Sequence, residues 1–166
     1  MLFRSDALTQ VTVGDTMEAE LPLVEANAKV FEVAEGIARR DPALTRHQAL
    51  LIVDSDGKLA GIITRGDILR ALDKDPSGPM TVQEAGKTHL VVTYPDELIS
   101  EAAAKMLRFD VGRLPVVDRS DDRKPVGYLG RSGILAARLR RLRDEHEREP
   151  GWLKGFSRRA AETDES

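Results

Sequence analysis

The sequence contains no cysteine among its 166 residues. This absence excludes a disulfide framework, a thiolate nucleophile and a thiolate metal site. Aromatic residues make up only 4% of the chain, and no apolar run approaches the ~18 residues that a transmembrane helix requires. Residues 1–10 also lack the apolar segment of a secretory signal peptide. We therefore expect a soluble protein of the cytoplasm.

The chain has no excess of positive charge. Its 28 acidic residues outnumber 25 Lys and Arg, which gives a net charge of -3 and an isoelectric point near 5.7. General nucleic-acid binders are usually basic, so the composition argues against a nucleic-acid partner. The only feature that favours nucleic-acid binding is an arginine cluster near the C-terminus, formed by Arg138, Arg140, Arg141 and Arg143. Acidic residues are interleaved with these arginines, which favours a solvated helix there.

Motifs of the common enzyme and metal sites are missing. His47, His89 and His146 stand far apart, without the spacing that places two ligands on one helix face. The sequence has no Gly-x-Ser-x-Gly nucleophile turn, no Walker-type phosphate loop and no Gly-x-Gly-x-x-Gly dinucleotide loop. We predict a non-enzymatic protein with no catalytic residue and no metal site.

What the chain does contain is an internal repeat. Residues 51–72 read LIVDSDGKLAGIITRGDILRAL, and residues 115–135 read PVVDRSDDRKPVGYLGRSGIL. In each copy an apolar triplet ends in Asp, a polar turn follows, Gly opens a short apolar run, and Ile-Leu begins a helix. A repeat determines the architecture, so two related β-α-β-β-α units are predicted. Each has roughly 60 residues, too few to bury a good core alone, and we expect the two sheets to pack together.

The patterns upstream complete each unit. Short strands are predicted at 21–24 and 90–93, and amphipathic helices at 29–40 and 96–108, where apolar residues recur at helical spacing. Asp56-Gly57 is a tight-turn signal between two apolar strands. The predicted boundaries are a lead-in at 1–10, a first repeat at 11–72, a linker at 73–80, a second repeat with an extended C-terminal helix at 81–142, and a helix end with a flexible tail at 143–166.

These residues resemble a tandem pair of cystathionine-β-synthase (CBS) domains, the arrangement called a Bateman module, over about residues 11–142. The resemblance implies an α+β fold in which two pseudo-twofold-related β-α-β-β-α CBS repeats pack through their sheets. It also implies a non-catalytic regulatory module that senses an adenosine-containing ligand: ATP, ADP, AMP or S-adenosylmethionine. A ligand-free structural dimerisation module is the alternative.

A narrower resemblance connects the chain with the cytoplasmic C-terminal CBS pair of prokaryotic ClC-type chloride channels or transporters. The phrases that carry it are TVGDTM, TRHQALLIVD, GRLPVVDR and KPVGYLGRSGILAARLRRL. It implies a homodimer on the cytosolic face of a membrane, attached to a channel part that is missing from this chain. A standalone CBS-pair protein that regulates another enzyme or transporter remains the alternative.

The resemblance assigns a ribose site to the segment Gly61-Ile-Ile-Thr64-Arg-Gly-Asp67. The Asp67 carboxylate is expected to accept hydrogen bonds from both ribose hydroxyls, and the Thr64 hydroxyl to add another. The helix N-terminus beside them suits phosphate, and Arg65 or Arg113 is expected to add positive charge. From the residues alone, however, the spacing of Thr64 and Asp67 fits a helix capping box equally well.

The remaining site residues follow from the same resemblance. Ile62 is expected to line the base, while Thr88 and the Val111-Gly112 backbone come from the second repeat. Gly112 lacks a Cβ and so allows close approach of the backbone. Read without the resemblance, Ile62 and Val111 are ordinary core residues, and Thr88 and Gly112 are ordinary turn residues.

The second repeat departs from this pattern. Gly130 and Gly133 stand where the first repeat has Thr64 and Asp67. No carboxylate remains there for a diol, so we predict at most one ribose-type site.

Overall fold

The computed structural model describes residues 11–148, so the predicted lead-in at 1–10 and the tail from residue 149 onward lie outside the described residues. The first half of the described chain contains α1 (Val13–Thr16), β1 (Leu23–Glu25), α2 (Val30–Ala38), α3 (Pro42–Thr45), β2 (Ala49–Val53), β3 (Leu59–Thr64) and α4 (Arg65–Lys74). The second half contains α5 (Val82–Ala85), α6 (Ile99–Phe109), β4 (Arg113–Asp118), β5 (Asp121–Gly130) and α7 (Arg131–Arg148).

The first half builds a three-stranded sheet in the order β1-β2-β3. β1 pairs with β2 in parallel, and β2 pairs with β3 as an antiparallel hairpin. Every side chain of β2 is buried, which is typical of a central strand. Gly57 adopts a positive φ of 75° in the hairpin turn, a conformation that glycine reaches without steric cost. The tight turn predicted at Asp56-Gly57 is therefore confirmed.

The second half contains only the two-stranded sheet β4-β5, so the strand predicted at 90–93 is wrong. A single parallel bridge remains, between Thr93 and Val116. The reason is Pro115, which has no amide hydrogen to donate to a strand beside it. The corresponding residue of the first half, Leu51, does donate, to the carbonyl oxygen of Pro22 at 2.7 Å. The proline thus ends the ladder after one residue.

The amphipathic helices are shorter than the apolar spacing predicted. α2 ends at Ala38, and Arg40 has a positive φ of 60° that ends the helical path. α6 begins at Ile99 rather than residue 96, because Glu97 closes a turn by donating its amide hydrogen to the Tyr94 carbonyl oxygen at 3.1 Å. Asp110 ends α6 in the left-handed conformation.

The core has three parts. Two of them lie on the two sheets, and each includes the short helix of the other half: Val82 of α5 packs with the first sheet, and Val13 of α1 packs with the second. The third joins the halves through side chains of both sheets, namely Leu51, Leu59, Val117 and Tyr128. All four of these side chains are buried, so each sheet covers apolar surface that the other half would otherwise expose to water. The α+β fold of two repeats packed through their sheets is confirmed.

The longest described helix is α7, with 18 residues. It carries charged residues along most of its length. Within residues 11–148, no helix combines the length and the apolar character that crossing a bilayer demands.

Candidate ligand-binding cleft

Two pairs of backbone hydrogen bonds join the halves at related positions. The Ile62 amide donates to the Lys87 carbonyl oxygen at 2.9 Å, and the Lys87 amide donates back to Ile62 at 2.8 Å. Glu18 and Tyr128 make the same exchange, at 2.9 Å in each direction. Each exchange places the segment after a short helix, α1 or α5, beside the last strand of the opposite half. A cleft lies beside each of these bridges.

Close approach at the first bridge depends on a glycine. A Cβ on Gly61 would lie 2.7 Å from the Lys87 carbonyl oxygen and 3.2 Å from the Ile52 Cδ1 atom. Any other residue at position 61 would therefore push the Lys87 segment away from β3. The glycine that opens the repeated motif therefore allows the two halves to pack closely at the cleft.

A cavity of about 160 Å³ lies beside the Ile62–Lys87 bridge. It brings together four of the six residues predicted to bind ligand, Ile62 and Thr64 from the first half and Val111 and Gly112 from the second. The other residues of its wall come from the second half and are Lys87, His89, Leu90, Val91, Asp110, Arg113 and Pro115.

The charged residues of this wall favour an anion. Lys87 and Arg113 are cationic and His89 offers an imidazole, against the single carboxylate of Asp110. Arg113 was expected to add charge, whereas Lys87 and Asp110 were not identified from the sequence. Period-two alternation puts Lys87 on the same face of this extended segment as His89 and opposite Thr88, but no sequence signal indicated which face meets the cavity. Among residues 11–148, no three acidic or imidazole side chains cluster closely enough to hold a metal ion.

Thr88 lies elsewhere. It lines a separate, more open groove together with Gln83, Asp122 and Arg123. Its neighbours Lys87 and His89 line the cavity, so the side chain between them faces the opposite way. The structure does not bring Thr88 to the cavity, and its contact with a ligand stays a prediction.

Thr64 and Asp67 form a complete capping box at the start of α4. The Thr64 hydroxyl accepts from the Asp67 amide at 3.2 Å, and Asp67 Oδ2 accepts from the Thr64 amide and hydroxyl, each at 2.9 Å. The interpretation of these two residues as a helix capping box is thus confirmed. Thr64 also lines the cavity, but Asp67 is only 5% exposed and does not. Its role in binding ribose stays a prediction.

A third group covers the Asp67 carboxylate. Arg70 Nη2 donates to Asp67 Oδ1 at 2.5 Å, and the Arg70 guanidinium lies 3.4 Å from the position of a Cβ on Gly66. Burial raises the pKa of Asp67, but the hydrogen bonds from Thr64 and the positive charge of Arg70 outweigh burial, so the pKa lies below its ordinary value of 3.8. Asp67 is therefore a buried carboxylate held ionised by its neighbours.

Arg131 and Arg65 both lie outside the wall of this cavity. The missing Cβ of Gly112 makes room for Arg131, whose Cζ atom would lie 3.1 Å from a Cβ there, so the glycine accommodates the chain's own guanidinium. Arg65 Nη2 donates to the Thr45 carbonyl oxygen at 3.0 Å, within its own half. It is not among the residues that line the cavity.

The cleft at the second bridge is occupied by its own side chains. The His47 side chain, 8% exposed, lies there with Nε2 3.1 Å from Glu18 Oε2 and its ring centroid 4.9 Å from that of Tyr128. Arg46 pairs with Glu20 at the rim. A cavity of about 120 Å³ remains between them. The asymmetry of the motif, Thr and Asp in one repeat but glycines in the other, is matched by an asymmetry of the clefts.

The CBS domain family matches this chain twice, over residues 13–74 and 82–140. The chain belongs to the CBS domain family. Its two repeats are thus a CBS pair, and such pairs are generally regulatory. The two matched stretches cover the described sheets and the helices that pack on them. The bridges and clefts described above therefore lie between one CBS domain and the other.

Curated relatives match this chain over only part of their own length. The L-aspartate semialdehyde sulfurtransferase of Methanocaldococcus jannaschii is 38% identical over 80 residues, which cover 48% of this chain and 15% of that protein. The chain spans about a quarter or less of the first curated relatives it matches. The enzymatic activity in that name belongs to that protein.

Two solved CBS structures that are similar in fold contain adenosine compounds. The CBS pair of protein MJ0100, in complex with 5′-methylthioadenosine and S-adenosyl-L-methionine, has a TM-score of 0.64 and 28% identity, covering 76% of this chain and 94% of that one. The cytosolic domain of the Mg²⁺ channel MgtE, in complex with ATP, has a TM-score of 0.62 and 26% identity, covering 80% of this chain and 52% of that one.

Proposed function

We propose that this CBS pair binds one adenine nucleotide, ATP, ADP or AMP, in the cleft beside the Ile62–Lys87 bridge and regulates a partner protein through it. The observation that carries the proposal is the cavity itself. It lies between the two CBS domains and combines apolar walls with Lys87, His89 and Arg113. Similar CBS structures hold adenosine compounds with and without phosphate.

Each part of a nucleotide has a counterpart in the proposed site. Ile62 and Val111 offer apolar surface to the two faces of the base, and the backbone beside Gly112 offers hydrogen bonds to its edge. Thr64 and Asp67 accept the ribose hydroxyls. The cationic wall attracts phosphate, and the N-terminus of α4 adds the positive end of the helix dipole.

Calorimetric titration of the purified chain with ATP, ADP, AMP and S-adenosylmethionine tests this proposal. We expect near-unit stoichiometry per chain for at least one of the nucleotides, and at least tenfold weaker binding for Asp67→Ala, because the diol loses its acceptor (about 1.4 kcal/mol per tenfold). Binding to wild type that is unchanged in Asp67→Ala would refute the site assignment.

Asp67→Ala also removes a helix cap, which costs about 0.5–2 kcal/mol of stability. Asp41→Ala is the matched control, since the Asp41 carboxylate caps α3 by accepting from the Ala43 amide at 3.0 Å and does not line the cavity. Loss of nucleotide binding in both variants would point to general destabilisation rather than to a ribose contact.

For the setting, we propose a homodimer that forms the cytosolic regulatory part of a chloride channel or transporter. The exposed leucines of α7, Leu135, Leu139 and Leu142, offer apolar surface for self-association. The MgtE likeness supports attachment of a CBS pair to a membrane channel. Only differential affinity for two states of the partner can transmit nucleotide binding. A standalone CBS pair acting on a separate enzyme or transporter is the alternative setting.

A ligand-free dimerisation module is the second candidate function. The observation that favours it is the state of the acceptors: the second cleft is occupied by His47, and Asp67 is already hydrogen-bonded by Thr64 and Arg70. This candidate predicts no heat of binding with any of the four adenosine compounds, together with a dimer by light scattering.

A further inference from the structure

We infer that Arg70 is a gate on the ribose site, which must leave the Asp67 carboxylate before a ribose diol can bind. The inference rests on the proposed nucleotide function and adds a residue that opposes binding at the same site. Arg70 is not among the residues that line the cavity; it acts through its contact with Asp67.

The first step is a count of acceptor sites. An ionised carboxylate offers about four lone-pair positions, two on each oxygen. Asp67 Oδ2 uses both of its positions for the amide and hydroxyl of Thr64, and Oδ1 uses one for Arg70. One position is left free. A vicinal diol donates two hydrogen bonds, so one present donor has to leave before both hydroxyls bind.

The second step identifies the donor that leaves most easily. The Thr64 amide is part of the backbone, and the Thr64 hydroxyl is fixed by the capping box at the start of α4. The Arg70 side chain is 67% exposed and pairs with a residue only three positions away, so its guanidinium regains water when it moves. Arg70 is therefore the group that a diol displaces.

The third step explains why Asp67 is not on the cavity wall. Arg70 lies across Gly66, the residue before Asp67 at the first turn of α4, with Nη1 3.4 Å from the position of a Cβ there. This placement and the Thr64 hydroxyl together leave Asp67 only 5% exposed. Departure of the guanidinium opens Oδ1 to a ligand in the adjacent cleft.

Removal of the gate should tighten binding of a neutral diol. Arg70→Met keeps the length and apolar stem of the side chain without its charge or donors. Exposed ion pairs change equilibrium constants by about 1.4- to 5-fold, so we expect adenosine to bind Arg70→Met about two- to five-fold more tightly than wild type. Adenosine is the probe because it has no phosphate that loss of a cation would weaken.

Two controls isolate the gate. Arg119→Met removes the same charge from another exposed pair, in which Arg119 Nε donates to Asp96 at 2.8 Å, away from the cavity; its adenosine affinity should equal that of wild type. The second control is 2′,3′-dideoxyadenosine, which lacks both hydroxyls and should bind wild type and Arg70→Met equally.

Titration calorimetry of the full chain separates the outcomes. Equal or weaker adenosine binding by Arg70→Met would overturn the gate while leaving the nucleotide function standing. A gain that also appears with the dideoxy compound, or in Arg119→Met, would overturn it as well, since the diol would not be its cause. Absence of adenosine binding to every variant and to wild type, with AMP and ATP also silent, would refute the proposed function and the gate together.

Discussion

A graded series of glycine substitutions tests how the two CBS domains are held together. Gly61, Gly127 and Gly130 all lie on the last strand of a domain, but a Cβ meets a different environment at each position. At Gly61 the nearest atom is the Lys87 carbonyl oxygen, 2.7 Å away. This oxygen belongs to a backbone that exchanges two hydrogen bonds with Ile62, so it cannot move without breaking the bridge.

The size of the effect follows from these contacts. Overpacking costs about 1–3 kcal/mol, and replacement of a strand glycine by alanine returns about 0.5–1 kcal/mol through the unfolded chain. We therefore expect Gly61→Ala to lower the free energy of unfolding by about 1–2 kcal/mol. At Gly127 the nearest atom is the flexible Met17 Sδ, which can turn aside, and the backbone oxygen of Glu18 lies 3.2 Å away, farther than the Lys87 oxygen at Gly61. Gly127→Ala should therefore cost less than about 1 kcal/mol.

Gly130→Ala is the matched control. Its nearest neighbours lie 3.8 Å from the Cβ position, an ordinary contact distance, and its stability should equal or slightly exceed that of wild type. Urea unfolding, followed by circular dichroism at one protein concentration, gives the three free energies with comparable slopes. Equal stability of Gly61→Ala and Gly130→Ala would refute the claim that the Gly61–Lys87 approach limits the packing of the domains.

Two further stability predictions concern buried polar groups. Thr93 is fully buried, and its hydroxyl has no hydrogen-bond partner among residues 11–148. Thr93→Val, which keeps the shape, should therefore raise the free energy of unfolding by ~1 kcal/mol; a loss of stability would mean that the hydroxyl is satisfied. Burial raises the pKa of Asp67, but Thr64 and Arg70 lower it more, to below 3.8, so its contribution is present above about pH 4 and lost as the pH falls further. Asp67→Asn should therefore flatten the acid limb of a pH–stability curve, and an unchanged limb would contradict this assignment.

Local patterns were sufficient for much of the fold. The repeated motif predicted two related units, and Asp56-Gly57 predicted the hairpin turn, because turn conformations depend on residues next to each other. The capping box of Thr64 and Asp67 could be predicted for the same reason, because its two residues are three positions apart at the start of one helix. Where a distant partner intervened, the prediction failed, as when Pro115 shortened the strand predicted at 90–93.

The binding cleft was only partly predictable. Family resemblance placed Ile62, Thr64, Val111 and Gly112 together, and they do line one cavity. Sequence reasoning did not indicate that Thr88 faces another groove, or that Lys87 and Asp110 complete the wall. The direction of a side chain on a short extended segment depends on the bridge that holds the segment, and this bridge joins residues of different domains.

The sequence by itself therefore determined the repeat, the α+β class and the loss of Thr and Asp in the second motif, since these are properties of residue order and local spacing. Only the tertiary structure decided which side chains line each cleft. His47 and Tyr128 meet across the second cleft from different domains, and Arg131 takes the space above Gly112. Such contacts join residues that are distant along the chain and become neighbours only when the two sheets pack.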